Sequence, residues 1–344
     1  MLVVLYHVGA GAGYALLPKD SSSAGAWWSS VNLALAPVRM PLFFLVSGML
    51  AVRAVQRPWS RVLRPRILDL LWPYLLWSTL FALTAWTRYA PDDPVGYMKD
   101  QVAVTLTAMG PYWFIAVLPV FFVAARLGRG RPRLLLAVAA AVYVGAWPLR
   151  QLMLGAEMIP QLVAEGTFRV TVYALWFIAG YVLRDRLIAL AERAHPLLGV
   201  LGAACFVLVV LVRDEMDAGA VLDRSLLAAA TLTGLLAAIA VAPWLTRSAA
   251  IARCGRELGS RTLAIYLVHP LVINLAVVWY PDSPLGAALR GTAAADVLLV
   301  PVLATVAVAL AVAVHGIVER WGPHWLFAAP QVREKSNTGP LGGG

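Results

Sequence analysis

Apolar runs long enough to cross a bilayer recur along the whole chain, near 1–17, 31–52, 67–88, 101–125, 134–150, 169–183, 197–212, 225–245, 262–280 and 297–318. A helical span needs about 20 predominantly apolar residues. The runs do not alternate polar with apolar positions, so they do not read as barrel strands, the other structure that satisfies its own backbone in lipid. The pattern predicts an all-α fold, a polytopic transmembrane helix bundle of about ten helices. That domain takes in residues 1–330. The polar, Gly-rich stretch QVREKSNTGPLGGG at 331–344 is expected to be a disordered cytoplasmic tail.

Composition agrees with this class and excludes others. The chain is 61% hydrophobic and 13% charged, where a soluble domain carries roughly a quarter charged residues. A formal net charge of +10 would suggest nucleic acid if the charges formed one surface. They fall instead in short loops, where membrane lipid phosphates and cytosolic anions are the partners at hand, and no nucleic acid is expected. Segments 53–66, 126–133, 184–193, 247–261 and 320–335 hold most of the 28 Lys and Arg residues. The intervening set holds Lys19, Arg39, Arg88, Lys99, Arg150, Arg169, Arg213, Arg224 and Arg290, with acidic clusters PDDP (91–94) and RDEMD (213–217). Positive-inside bias then predicts a multi-pass protein of the cell membrane with both termini cytoplasmic. Cys205 lies in an apolar run and Cys254 in a basic loop, so both are expected as free thiols.

Ionisable groups inside spans are costly and mark candidate sites. His7 lies in the first run and His269 in the middle of the ninth. Each is open to two readings, a histidine bonded to a neighbouring helix or a general base. His195 and His324 stand beside Pro in cytoplasmic segments and read as surface residues, and His315 as interfacial. No HExxH or clustered Cys/His pattern occurs, so no metal site is expected. The absence of a GxSxG elbow and a Walker loop disfavours an ordinary hydrolase or NTPase. Within PLFFLVSGML (41–50), Ser47-Gly48 is either a helix-packing notch or a gap that lets a ligand approach. The basic stretch RAVQRPWSRVLRPR (53–66) either contacts anionic lipid or holds a phosphate-rich ligand through guanidinium forks. Aromatics at span ends (Trp27-Trp28, Trp72-Pro73-Tyr74, Trp279-Tyr280) read as interfacial belts.

Four stretches in order, VLYH (4–7), RMPLFFLVSGML (39–50), PYWFIAVL (111–118) and LGSRTLAIYLVHPLV (258–272), resemble the motifs of membrane acyltransferase family three. That family includes O-antigen and peptidoglycan O-acetyltransferases and glucan succinyl-transferases, and the resemblance covers nearly the whole chain. It implies an integral membrane O-acyltransferase that moves an acetyl or succinyl-like group from cytosolic acyl-CoA to a hydroxyl of an extracytoplasmic glycan or other small acceptor. Acyl-CoA is then a donor substrate, with no bound cofactor. By the same resemblance His7 is the catalytic residue, as general base or nucleophile. Ser47 and Gly48 line the donor route, and Arg53, Arg61, Arg64 and Arg66 hold the CoA phosphates. Arg39, Trp113, Tyr266 and His269 orient the reacting group or stabilise the oxyanion. Two features depart from the family pattern. A basic residue eleven positions before the histidine falls upstream of Met1, so the native chain is expected to start earlier, with at least eleven more residues. Asp69 stands where the family often has Arg. The rival reading from the residues is a secondary transporter, although neither paired repeat halves nor an intramembrane carboxylate pair is visible. A lipid-binding structural protein would leave His7 and His269 unexplained.

Overall fold

The computed structural model of the protein describes residues 2–12, 24–89, 92–216, 219–280, 282–289 and 292–330. The expectations for residues upstream of Leu2, for Lys19 and Arg290, and for the tail 331–344 lie outside the described residues. The chain begins with α1 (Leu2–Tyr6), which runs on as a π-helical turn, His7–Ala12. It continues through α2 (Ala24–Val55) and α3 (Trp59–Leu63), which passes by a π turn, Arg64–Leu68, into α4 (Asp69–Tyr89). Next come α5 (Pro94–Leu106), α6 (Trp113–Leu127), α7 (Pro132–Leu154) and α8 (Gln161–Arg193). The second half holds α9 (Pro196–Glu215), α10 (Ala220–Leu245), α11 (Ala249–Ser260) and α12 (Thr262–Trp279). It closes with α13 (Pro284–Leu289), α14 (Ala293–Trp321) and a 3-10 turn, His324–Leu326.

The fold is an all-α polytopic bundle. Among the described residues, eight helices are long and apolar enough to cross a membrane, against the ten runs read from sequence. Two runs account for the difference. The run 101–125 is interrupted between Leu106 and Trp113, giving α5 and α6, both too short to count as spans. Gly110-Pro111 falls in the gap, and the residue before a proline is pushed out of the α region while the proline itself lacks an N–H. The first run becomes a short α-helix and a π turn, because HVGAGA at 7–12 is rich in glycine, a weak helix former.

Two long helices, α2 and α8, form the central pair. A Cβ on Gly48 would stand 2.0 Å from the Phe177 carbonyl oxygen, and one on Gly180 would stand 1.9 Å from that of Leu45. The missing side chains let the two backbones touch, the small-residue packing that replaces hydrophobic attraction inside a bilayer. The helices run in the same direction. Ala36–Met40 of α2 share a cavity with Phe168–Tyr173 of α8, while Gly48 faces Phe177 and Tyr181. α12 runs the other way, with Tyr266 beside Arg39 in one cavity and Thr262 beside Phe43 in another. The Arg-rich C-terminal ends of α2 and α8 and the start of α12 therefore share one end of the bundle, the basic end.

At the basic end the residues after α14 fold back across α4. The indole Nε1 of Trp72 donates to Trp325 O at 2.7 Å, and that of Trp77 donates to Leu326 O at 2.7 Å. Asp69 Oδ1 accepts from the Ala329 N–H at 3.1 Å and stands 3.7 Å from Arg64 Nε. Asp69, the departure from the family pattern, thus fastens the end of the described chain.

Candidate functional site

The four quoted stretches lie far apart in sequence and meet in the fold. Phe43 and Phe44 of α2 pack on the start of α6, with ring centroids 5.4 Å apart for Phe43–Phe114 and 5.7 Å for Phe44–Trp113. The first turn of α6 has no side-chain cap of its own at Tyr112. Its orphan donors need partners, as at every helix start, and α12 supplies one. Tyr266 Oη accepts from the Phe114 N–H at 3.2 Å and donates to Pro111 O at 2.9 Å. The phenol is fully committed to positioning this loop, and its proton is not free for an oxyanion.

His269 is one helical turn further along α12. It has no exposed surface, and its ring centroid lies 5.2 Å from that of His7. Nδ1 of His269 is 2.8 Å from Ile265 O. A carbonyl can only accept, so Nδ1 carries the proton and the neutral ring keeps its lone pair on Nε2. That Nε2 is buried with no partner among the described residues. His269 is therefore built as a proton acceptor. His7 opens the π turn after α1, edge-on to Tyr6 at 5.2 Å. The Arg39 guanidinium covers the Tyr6 ring at 4.3 Å and bonds back to Asn32 O at 2.8 Å.

Two cavities flank the histidine pair. The larger, about 530 Å³, is lined by Tyr6, His7, Arg39, Trp113, Arg169 and Tyr266 among others. It lies toward the end opposite the basic loops, because it takes in Met109–Pro111 and Glu165 near the start of α8. The smaller, about 120 Å³, is lined by Phe43, Leu258, Gly259, Thr262, Ile265 and His269, toward the basic end. Val3 and Tyr266 border both.

The rim of the larger cavity is held from below. Arg169 Nη1 donates to Ala108 O at 3.0 Å, and Ala108 takes the left-handed conformation with φ 54°. Such a backbone persists in a non-glycine residue only when its neighbours over-determine it. Here they do. A Cβ on Gly166 would stand 2.4 Å from Thr107 O, and Tyr74 Oη donates to Thr105 O. Beside this rim Arg150 grips Glu165 with two hydrogen bonds, Nε to Oε2 at 3.0 Å and Nη2 to Oε1.

Of the residues singled out from sequence, His7, Arg39, Trp113 and Tyr266 line the larger cavity and His269 the smaller. Ser47, Gly48, Arg53, Arg61, Arg64 and Arg66 line neither. The space beside Gly48 is filled by the α8 backbone, and Arg64 is held by Ala329 and Asp69. Arg53 and Arg61 are exposed and Arg66 is half-buried. Sequence reasoning passed over Glu165 and Arg169 as ordinary loop charges. It also passed over Arg126, which is 7% exposed, donates to Val55 O at 2.8 Å and to Arg57 O, and so caps the last turn of α2. Among the described residues no group of three His, Cys, Asp or Glu side chains is placed to hold a metal ion.

Comparison with curated proteins and with solved structures returned no match. The acyltransferase domain of acyltransferase family 3 matches residues 1–316, nearly the whole chain. The protein, with its histidine pair inside a bundle of membrane-spanning helices, belongs to acyltransferase family 3 and is a membrane acyltransferase.

Proposed function

We propose that the protein transfers an acyl group from acyl-CoA on the basic, cytoplasmic side of the cell membrane to a hydroxyl of an envelope glycan or similar acceptor on the opposite side. The observation that carries this reading is the His7–His269 pair, 5.2 Å between ring centroids, with a cavity toward each end of the bundle. A volume of about 530 Å³ suits a sugar-sized ligand. One of about 120 Å³ admits only the narrow end of a thioester. The exposed Arg53 and Arg61, with Arg66, stand at the basic end to meet the nucleotide phosphates of the donor.

The acceptor hydroxyl gives its proton to His7, and its oxygen bonds to the thioester carbonyl carbon. The C–S bond breaks, and CoA leaves toward the basic end. The proton that the thiolate needs passes from His7 to the open Nε2 of His269 and on to sulfur. Losing a general base costs on the order of 10²–10⁴ in rate.

The test uses protein reconstituted in vesicles, with acyl-labelled CoA on the side of loop 53–66 and an extract of envelope glycans and lipids on the other. Label should appear on an acceptor hydroxyl, and His7→Ala should abolish this while the protein still inserts and melts as before. Accumulation of an unmodified solute with CoA left intact would instead indicate a transporter.

A further inference from the structure

The larger cavity carries more positive charge than its walls neutralise. Its charged lining consists of Arg39, Arg169 and Glu165. The two bonds from Arg150 already engage the Glu165 carboxylate. Neither Arg39 nor Arg169 has a carboxylate within ion-pair distance among the described residues. Among the described residues Arg39, 5% exposed, bonds only through Nη2, to the backbone and side-chain oxygens of Asn32, and its buried Nε has no partner. Arg169 spends Nη1 on Ala108 O. Each guanidinium packs on an aromatic ring, Arg39 on Tyr6 at 4.3 Å and Arg169 on Trp113 at 5.1 Å. Rings and carbonyls aim a cation without cancelling it, and a buried charge without a counter-charge is strongly unfavourable. Two cations in one cavity, Arg39 buried and Arg169 half-buried, are accounted for by an occupant that brings the missing anion. A guanidinium fork matches carboxylate and phosphate alike.

We infer that the acceptor bears an anionic group, a carboxylate or a phosphate ester, which Arg39 and Arg169 hold while its hydroxyl meets His7. This rests on the acyl-transfer reading. The anion belongs to the acceptor because both arginines line the cavity on the far side of the histidine pair from the basic end, where the donor arrives. Trp113, Phe168 and Tyr173 add aromatic surface to the same lining, a surface compatible with a sugar ring.

Equilibrium binding to the purified chain in nanodiscs, without donor, tests this directly. Three probes are compared: a neutral short glucan, the same glucan with one uronic-acid carboxylate, and the same glucan with one phosphate ester. At least one charged probe should bind about tenfold or more tightly than the neutral one, as charge-assisted hydrogen bonds allow. Arg169→Gln should remove that advantage while the neutral glucan still binds, and Arg39→Lys, which keeps the charge without the fork, should keep part of it. Charged probes that bind no more tightly than the neutral one overturn the inference. So does an advantage that survives both Arg169→Gln and Arg39→Gln in proteins with native melting. A charge preference expressed only toward carboxylated acyl-CoA over acetyl-CoA also overturns it, since the anion then belongs to the acyl group. Binding needs no turnover. Charge-selective binding without acyl transfer would leave this site standing and remove only the reaction assigned to it.

Discussion

At the end of the bundle away from the basic loops, segment 105–112 is fastened by groups from three helices: Tyr74 on Thr105 O, Arg169 on Ala108 O and Tyr266 on Pro111 O. At the basic end, the turn 64–68 and the segment 324–329 are fastened to each other and to α4 through Arg64, Asp69, Trp72 and Trp77. In the first set Tyr74 is 5% and Tyr266 7% exposed; in the second only Trp77 is comparably buried, while Trp72 is 38% exposed and the Arg64 side chain 41%. A buried polar group that loses its partner bears its full desolvation cost, and an exposed one turns to water. The rim of the larger cavity is accordingly the costlier to disturb, and the contacts of Trp72 and Arg64 at the basic end are the cheaper to open.

The contrast can be broken most severely at Gly166. Gly166→Val puts carbon where Thr107 O already sits, so the backbone of the rim must move. Overpacking of this kind costs about 1–3 kcal/mol or more, and both thermal melting and acyl transfer should fall together. A melt equal to that of the native protein would show that the rim is not pinned. A finer measure pairs Tyr266→Phe, which deletes a buried phenol oxygen, with Trp72→Phe, which deletes an exposed indole N–H together with part of its ring. The first should cost about 1–3 kcal/mol as a buried loss, and the second no more than about 1. Equal costs in denaturation would erase the distinction between the two ends. The smallest effect on stability is expected from Arg53→Gln combined with Arg61→Gln, within about 0.5 kcal/mol for surface positions. There the readout is the KM for acyl-CoA, which should rise several-fold. An unchanged KM would leave these arginines to topology alone.

The spans were legible because lipid leaves few options, and the four motifs were legible because they recur in the family in order. Their convergence was not, since nothing in the sequence says that Tyr266 caps α6, 152 residues away. Arg126, Glu165 and Arg169 sit at span ends beside other charges, and no periodicity separates a buried arginine from a loop arginine. The break at Gly110-Pro111 was written in the chain, yet the apolar residues around it outweighed the signal in a reading by hydropathy. Ser47-Gly48 posed a choice that composition could not settle. In the structure the Gly48 position meets the backbone of α8.

Two of the helices at the histidine pair are short. α6 has 15 residues and α12 has 18, about 22 and 27 Å long, beside α2 and α8 at 32 and 33 residues and nearly 50 Å. These short and long helices together leave a cavity toward each end of the bundle with the histidine pair between them. Were both cavities filled with water, the membrane voltage would drop mainly across the layer between them, not across the full bilayer. One elementary charge crossing 100 mV gains about 2.3 kcal/mol. In the proposed mechanism a proton handed from His7 to His269 would move within this field, and the rate of acyl transfer would then rise or fall with the membrane voltage.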